Sequence, residues 1–452
     1  MPVITQQQTE PAPLEGAGAN TATILSYGMG VESSAILLRW ILEPQTRPCD
    51  LRDLIVITAQ TGNEYPDTGH DVERQILPLL RRHGIRFVQL ARHGHLEADG
   101  ITVLSDTRQP TTVYLDGDYR LSDELRKNGT VPMCSGVHKC ALKFKAFVIE
   151  SWIAQNLTGP ARHAIGYNAD ETSRVAHSEY VFQARVAFGF NSEETGRFER
   201  ANEYDGLRQG NGHKVAFGYN ADETGRIEKN CEYNTVARVA FYPLVAWGWN
   251  RQTCIDYLQT HLGVTWRKSA CVFCPFACNR QNAAELIERH REHPEQVAEA
   301  MVLEHVSLAM NPRGTLYKTR SLIEITQAAG NTSATAAYEE RLSTAPWALY
   351  RVRRIYHADK KIPTKKGQAD RAVERLAVLS RDSAHTALLR LAGRLQAQLV
   401  THRGIDYAYQ EHKGDTYPTR EHFYVTAPAV VETKARYGIE WFNGKWDQQS
   451  LF

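Results

Sequence analysis

Short apolar segments alternate with amphipathic ones over the first part of the chain. Apolar runs at Thr23–Ser26, Leu51–Thr58 and Ile85–Leu90 are typical of buried strands, and apolar residues recur at helical spacing in Ser34–Leu42 and Asp67–Arg82. Strands that alternate with helices favour a parallel sheet covered by helices on both faces. We therefore predict an α/β fold with a doubly wound, mainly parallel sheet, whose ligands bind where the strand order reverses.

The length of 452 residues is typical of more than one domain. We predict an α/β domain over residues 21–280 and a helical and mixed C-terminal region over 281–452. Residues 1–20 are polar and are expected to be a disordered lead-in. Elsewhere the pattern predicts a long loop within Leu96–Val131, a helix over Ala141–Ile153, a strand at His163–Gly166 and a helix over Ala283–Leu308 that breaks at Pro294.

A nine-residue motif occurs three times in the middle of the chain. It begins at Gly166 and recurs at Gly189 and Gly218, which are spacings of 23 and 29 residues. Such spacings are usual for repeated supersecondary units. The two later copies predict an insertion over about residues 185–233. It forms either a small stacked strand–turn array or a duplicated loop without a new function.

The composition excludes several classes of protein. The net charge is +2 and no apolar run approaches the length of a membrane span, so we expect a cytoplasmic protein that does not cross a membrane. Eight cysteines without a secretory signal indicate a metal site rather than a disulfide framework. Cys49, Cys231 and Cys254 stand alone in the sequence and are expected to be packing residues.

Two loops with phosphate-binding character follow the first two strands. Ser26, Gly28, Gly30, Ser33 and Ser34 connect the first strand to a helix, an arrangement in which backbone N–H groups and the helix N-terminus converge on an anion. The Gly-Lys-Ser/Thr ending of a Walker loop is missing. A second loop with Thr61, Gly62 and Glu64 follows the next strand, and the two should be neighbours in a doubly wound sheet.

These two motifs resemble the adenine-nucleotide alpha hydrolase superfamily. Ser-x-Gly-x-x-x-x-Ser-Ser followed by Thr-Gly-x-Glu-x-Pro-x-Thr is similar to its phosphoadenosine-phosphosulfate reductase-like branch, which includes sulfonucleotide reductases and ATP pyrophosphatases. The resemblance implies that ATP and Mg²⁺ bind at the two loops. The chain departs from the family pattern at Gln60, where an acidic residue is usual, and at Glu32, near a position where Asp is common.

Further similarity extends to roughly Thr21 through Pro312. The segments at Cys140–Lys145, Gly166–Arg174, Tyr242–Arg251 and Lys268–Phe276 resemble family motifs in the right order. The resemblance implies that the catalytic residues are Lys143, Lys145, Glu171 and Arg174. It also implies that Arg251 helps to neutralise phosphate.

The remaining cysteines form the predicted metal site. Cys271 and Cys274 stand on one tight turn, a spacing at which two thiolates can share an ion. Cys140 is the third ligand that the resemblance implies, and Cys134 or Cys278 is the fourth. Four thiolates suit a 4Fe–4S cluster, which we favour, or zinc.

The leading functional prediction is an ATP pyrophosphatase-type enzyme that adenylylates a substrate, either a nucleic acid or a small molecule, and prepares it for sulfur transfer from a donor protein. Reduction of phosphoadenosine phosphosulfate is an alternative that the lack of any cysteine after Cys278 disfavours. A catalytically idle nucleotide- or nucleic-acid-binding component is another. Nine Lys or Arg against three acids in Tyr350–Arg375 could follow a nucleic-acid backbone, with Tyr350 and Tyr356 stacking on bases, or form a solvated basic helix and loop.

Overall fold

The chain folds into two compact units. The structure, a computed structural model, describes residues 22–132, 139–157, 161–166, 214–218, 240–241, 243–278, 283–317 and 320–449. Of the described residues, the first unit contains those up to Arg120 and those from residue 139 to Cys271. The second unit contains residues 121–132 and the residues from Val272 onwards. The sequence prediction placed the division at residue 280, but the chain changes units between Cys271 and Val272.

Strands and helices are numbered in chain order. The strands are β1 (Ala22–Ser26), β2 (Leu54–Gln60), β3 (Arg86–Arg92), β4 (Ile101–Thr107), β5 (Ala161–Gly166), β6 (Lys214–Gly218), β7 (Ala240–Phe241), β8 (Trp347–Ala358), β9 (Lys366–Leu379), β10 (Gln398–His402), β11 (Ile405–Glu411), β12 (Thr419–Pro428) and β13 (Lys434–Ala435). The helices are α1 (Val31–Leu42), α2 (Pro66–Gln75), α3 (Leu77–His83), α4 (Leu121–Asn128), α5 (Lys139–Ala141), α6 (Phe147–Asn156), α7 (Pro243–Ala246), α8 (Arg251–Leu262), α9 (Ala283–Glu292), α10 (Pro294–Met310), α11 (Leu322–Ala328), α12 (Thr332–Thr344), α13 (Arg381–Leu395) and α14 (Ile439–Gln449).

The first unit contains a mostly parallel sheet in the order β4-β3-β2-β1-β5-β6-β7. Every neighbouring pair is parallel except β3 and β4. The predicted strands at Thr23, Leu51, Ile85 and His163 correspond to β1, β2, β3 and β5. Because β2 lies on one side of β1 and β5 on the other, the strand order reverses at β1, which is where the first glycine loop begins.

Helices pack on both faces of this sheet. Leu25, Val56 and Phe87 face a core built with α1, α2, α3 and α8. The alternate side chains, such as Ile24 and Val88, pack against α6. This alternation follows from the two-residue period of a strand. It confirms a mixed α/β class with a mostly parallel sheet.

Three local predictions change in the structure. Helix α1 begins at Val31, three residues before the predicted start, because Gly30 is its N-cap residue. The predicted helix Asp67–Arg82 is two helices that meet at Ile76, since a proline occupies the first turn of α3. The segment Leu96–Val131 contains a long loop over residues 108–120, as predicted, but it also contains the antiparallel strand β4 and helix α4, which the pattern does not predict.

The second unit contains an antiparallel sheet in the order β10-β11-β12-β8-β9-β13. Val306 and Met310 of α10 pack on one face with Tyr350 and Tyr407, and α13 packs on the other face against Leu349. The predicted helix Ala283–Leu308 is found as α9 and α10, separated at His293. Among the described residues, no helix combines the length and the apolar character that a membrane crossing requires.

Candidate functional site

The loop between β1 and α1 presents backbone groups at the carboxyl edge of the sheet. Gly28 is exposed, and a Cβ atom there would meet nothing within 4 Å. Met29 has a φ of 58°, a conformation that costs a residue with a side chain about 1–2 kcal/mol. The first helical hydrogen bond runs from the Ser34 N–H to the Gly30 carbonyl at 3.0 Å. The N–H groups of the first helical turn before Ser34 therefore have no acceptor within α1.

The two serine hydroxyls of this loop have partners within the protein. The Ser34 hydroxyl is fully buried and lies 3.0 Å from the Tyr27 hydroxyl, whose pKa is raised by burial. The Ser33 hydroxyl donates to the Gly30 carbonyl at 3.3 Å. The sequence suggested that both hydroxyls would meet a ligand, but here they fix the start of the helix. The anion-binding capacity of the loop therefore rests on its backbone N–H groups.

The second loop is organised around the buried carboxylate of Glu64. Its oxygens accept hydrogen bonds from the Thr61 N–H at 3.1 Å, the Thr61 hydroxyl at 2.9 Å and the Asn63 N–H at 3.1 Å. Gly62 between them has a φ of +79°, and Arg120 packs so closely that a Cβ atom would lie 2.7 Å from its Cγ. Glycine is required there on both grounds. Glu64 therefore shapes this loop from within.

A distant segment connects the two loops. The Trp266 indole N–H donates to the Met29 carbonyl at 3.0 Å, and Ser269 lies against Gly30, where a Cβ atom would be 2.9 Å from the serine Oγ. Arg267 pairs with Asp67 at the start of α2, with an N–O distance of 3.1 Å. Cys271 forms an antiparallel backbone bridge with Glu64. The segment Trp266–Cys271 thus holds Cys271, one of the predicted metal ligands, beside both predicted nucleotide loops.

Two polar side chains lie under the first loop. Glu32 is buried and pairs with Arg251 at 2.5 Å, so the arginine predicted to neutralise phosphate instead neutralises Glu32. Gln60, at the end of β2, is 1% exposed and its Nε2 lies 3.5 Å from the Thr58 hydroxyl. Its Oε1 is buried without a hydrogen-bond partner among the described residues. A buried acceptor of this kind is rare and marks a place where a donor can be received.

The predicted lysines lie on an unusual helical turn. Leu142–Ala146 is a π-helical turn between α5 and α6, and such turns are frequent at functional sites. The guanidinium of Arg92, which is 1% exposed, donates to the carbonyls of Gly94, His95 and Lys143 at 2.7, 2.6 and 3.2 Å. Arg92 ends β3, so it fixes the turn that carries Lys143 and Lys145 to this strand.

The cysteines have distinct surroundings. Cys140 is half-buried in α5 of the first unit, and Cys254 packs in the core, where burial raises its thiol pKa to about 12. In the second unit, the Ala277 N–H donates to the Cys274 carbonyl at 3.0 Å and closes a turn. The Arg320 guanidinium donates to the Cys278 sulfur at 3.8 Å. Cys134 and Cys231 lie outside the described residues.

The repeated motif is described only at its edges. Glu171 and Arg174 of the first copy, and the whole second copy, lie outside the described residues. Gly166 ends β5 and Gly218 ends β6, and the two glycines are paired in register on these parallel strands. The first and third copies therefore start side by side at the carboxyl edge of the sheet.

The basic stretch Tyr350–Arg375 is not a helix and loop but most of the β8–β9 hairpin. Tyr350 is fully buried and Tyr356 is 2% exposed, so the expectation that they stack on bases is wrong. Strand β8 is buried on both faces, since Tyr350 packs in the core with α10 and Leu349 packs against α13 on the other side.

Comparisons with protein-family models, with curated proteins and with solved structures found no match to this chain. The function of the chain is therefore inferred from its own residues. Sequence reasoning missed Trp266, Arg92 and Tyr27. Of these three, only Trp266 carries a signal in the sequence, because it lies close to the cysteine pair.

Proposed function

We propose that the first unit is an ATP pyrophosphatase-type site that transfers AMP to an oxygen of a substrate and releases pyrophosphate. The observation that carries this proposal is the convergence of Trp266–Cys271 on the two loops that follow β1 and β2. It supports the family resemblance because segments far apart in sequence meet where the strand order reverses. On this reading the sheet is the doubly wound sheet of the adenine-nucleotide alpha hydrolases.

The loop after β1 is the proposed phosphate site. Its backbone N–H groups lie at the positive end of α1, and Gly28 leaves room for a close approach. The Glu32 carboxylate would oppose a triphosphate, but its ion pair with Arg251 offsets that charge. Mg²⁺ bound with ATP would supply further neutralisation of the phosphates. The Gln60 Oε1 is a candidate acceptor for a donor group of the nucleotide.

The proposed reaction needs positioning more than covalent catalysis. A substrate oxygen attacks the α-phosphorus, the bond from that phosphorus to the bridging oxygen of the β-phosphate breaks, and pyrophosphate leaves with the electron pair. Lys143 and Lys145 on the π-helical turn are proposed to stabilise the leaving group, and Glu171 and Arg174 keep the roles that the resemblance implies. A sulfur-donor protein would then displace AMP.

Substitution of Gly28 by Asp is predicted to weaken ATP binding without unfolding the unit. A side chain at Gly28 meets no atom within 4 Å, so the fold should tolerate it, whereas a carboxylate would repel phosphate. Gly28→Asn is the matched control, because it has the same shape without the charge. We expect titration calorimetry to show that the Asp variant binds ATP at least about tenfold more weakly than the Asn variant. A tenfold change corresponds to about 1.4 kcal/mol of binding free energy.

Equal affinities of the Asp and Asn variants would show that the loop is only a turn. Pyrophosphate release from ATP, measured with and without candidate acceptors, separates catalysis from binding. Binding without any release of pyrophosphate would favour the idle nucleotide-binding alternative.

The cysteines are proposed to hold a 4Fe–4S cluster, with zinc as the alternative. The candidate donors Cys140, Cys271, Cys274 and either Cys134 or Cys278 are all thiols, the ligand class that suits both. Iron and sulfide should be found in anaerobically purified protein, and Cys271→Ser should lower both contents. Cys49→Ser is the matched control outside the proposed ligand set. If zinc is found in place of iron, the alternative is correct. If the protein contains neither iron nor zinc, the proposed metal site is contradicted.

A further inference from the structure

The β8–β9 hairpin ends in a strongly basic tip. Between Asp359 and Lys366 the chain carries four lysines and one aspartate. Residues 360–366 are all exposed, and Ile362 is 44% exposed at the centre. The tip is ordered by its own hydrogen bonds, because the Asp359 carboxylate accepts the Lys361 and Ile362 N–H groups, both at 2.9 Å. Those bonds lower the Asp359 pKa and keep it ionised.

The basic residues of the hairpin stem, in contrast, are mostly neutralised inside the unit. Arg351 and Arg353 both pair with Glu374, and Arg354 pairs with Glu421. Arg353 and Arg354 are each 6% exposed. These charges stabilise the sheet and are not available to a partner. The accessible positive charge of the hairpin is therefore concentrated in the lysines of its tip.

A neighbouring loop adds to this basic surface. The Lys413 Nζ lies 5.6 Å from the centre of the Tyr356 ring and 5.1 Å from that of Tyr417, and the Lys366 Nζ lies 4.9 Å from the Tyr356 ring. The exposed Arg313 donates to the Tyr356 hydroxyl at 3.2 Å. The buried Tyr356 thus gathers cations from three segments beside the hairpin tip.

We propose that this tip binds the groove of duplex DNA. A two-stranded ribbon has the width that a DNA groove admits, and lysines on both sides of its turn can contact the two phosphate backbones. Binding of single strands needs exposed aromatic platforms, and the two hairpin tyrosines are buried. The groove dimensions of duplex RNA suit such a ribbon less well. This proposal concerns the second unit and does not depend on nucleotide chemistry in the first.

The centre of the tip adds an apolar contact. Ile362 and Pro363 stand between the two lysine pairs, and an apolar side chain at this place can contact the methyl group of thymine in the major groove. The lysines would provide affinity that depends on the salt concentration. Ile362 would provide a contact whose strength does not depend on it.

Two double variants of the full chain test the proposal. Lys360→Ala with Lys361→Ala removes two charges from the tip, and Arg390→Ala with Arg394→Ala removes two exposed charges from α13 as the matched control. Binding of a fluorescein-labelled DNA duplex is measured by anisotropy between about 50 and 200 mM salt. We expect the tip variant to bind about five- to tenfold more weakly, with a slope of log K against log salt that is smaller by about 1–2.

The control variant should bind like the unchanged protein. Ile362→Ala should weaken binding several-fold and leave the salt slope unchanged. Equal loss in the two double variants would overturn the proposal, since the effect would then be general charge. Tighter binding to single-stranded DNA, to duplex RNA or to vesicles of anionic lipid would also overturn it and identify the preferred partner.

Discussion

Mild acid is expected to destabilise the second unit strongly. His290 and His305 are buried there and His422 is half-buried, and burial lowers the pKa of each to about 4, with the positive charge of nearby arginines adding to the effect. The Nε2 atom of each ring is buried without a hydrogen-bond partner among the described residues. A protonated ring would therefore place an unpaired N–H and a charge in the interior.

The direction follows from proton linkage. Between pH 6.5 and 4 the unfolded chain binds protons that the folded unit does not, so stability is lost as the pH falls through this window. At pH 5 the cost is about 2 kcal/mol for each histidine, or at most about 6 kcal/mol for the three together. Glu304 acts in the opposite direction, because burial raises its pKa against the hydrogen bonds from Leu316, Leu322 and Ile323. The net loss of stability should therefore be smaller than this sum.

Urea unfolding at pH 7 and at pH 5 measures this loss. Hydrogen exchange read by mass spectrometry assigns the transition to the second unit. A variant with Gln at His290, His305 and His422 should show a smaller difference between the two pH values. Gln at the exposed His385 and His412 is the matched control and should leave the difference unchanged. A free energy of unfolding that is equal at pH 7 and pH 5 would rule out the proposed linkage.

The sequence predicted the elements whose signals are local. The strand, glycine loop and helix from Ala22 to Leu42 were found because apolar periodicity and a glycine cap act over a few residues. β4 and α4 were missed because both are short, and the burial along β4 is only partial. Short elements of this kind depend on tertiary contacts more than on their own sequence.

The candidate site was predicted in its positions but not in its contacts. The sequence placed both loops at one edge of the sheet, whereas nothing in it indicated that Trp266 would bond to Met29 or that Arg251 would pair with Glu32. The members of these two pairs are 237 and 219 residues apart in the sequence. The serines were assigned to a ligand because hydroxyls suit phosphate, but Ser34 is consumed by Tyr27, a partner that only the fold reveals.

Replacement of Glu64 by Ala is expected to disable the candidate site. The variant leaves the Thr61 N–H, the Thr61 hydroxyl and the Asn63 N–H without their acceptor. Since Glu64 is 8% exposed, water can replace that acceptor only in part, and the expected loss is about 2–4 kcal/mol of stability. The backbone bridge to Cys271 should loosen with the loop. We expect ATP affinity to fall by about tenfold or more, together with iron content.

Glu73→Ala is the matched control for loss of stability alone. Its carboxylate accepts the Val113 N–H at 2.8 Å, also in the first unit, and neither residue belongs to either loop. If Glu64→Ala lowers ATP affinity no more than Glu73→Ala does, the second loop has no part in nucleotide binding. If affinity falls while iron content is unchanged, the loop serves the nucleotide but does not position Cys271. A joint fall of both, with Glu73→Ala unaffected, is the result expected of one site in which Glu64 shapes the loop and its backbone holds the cysteine.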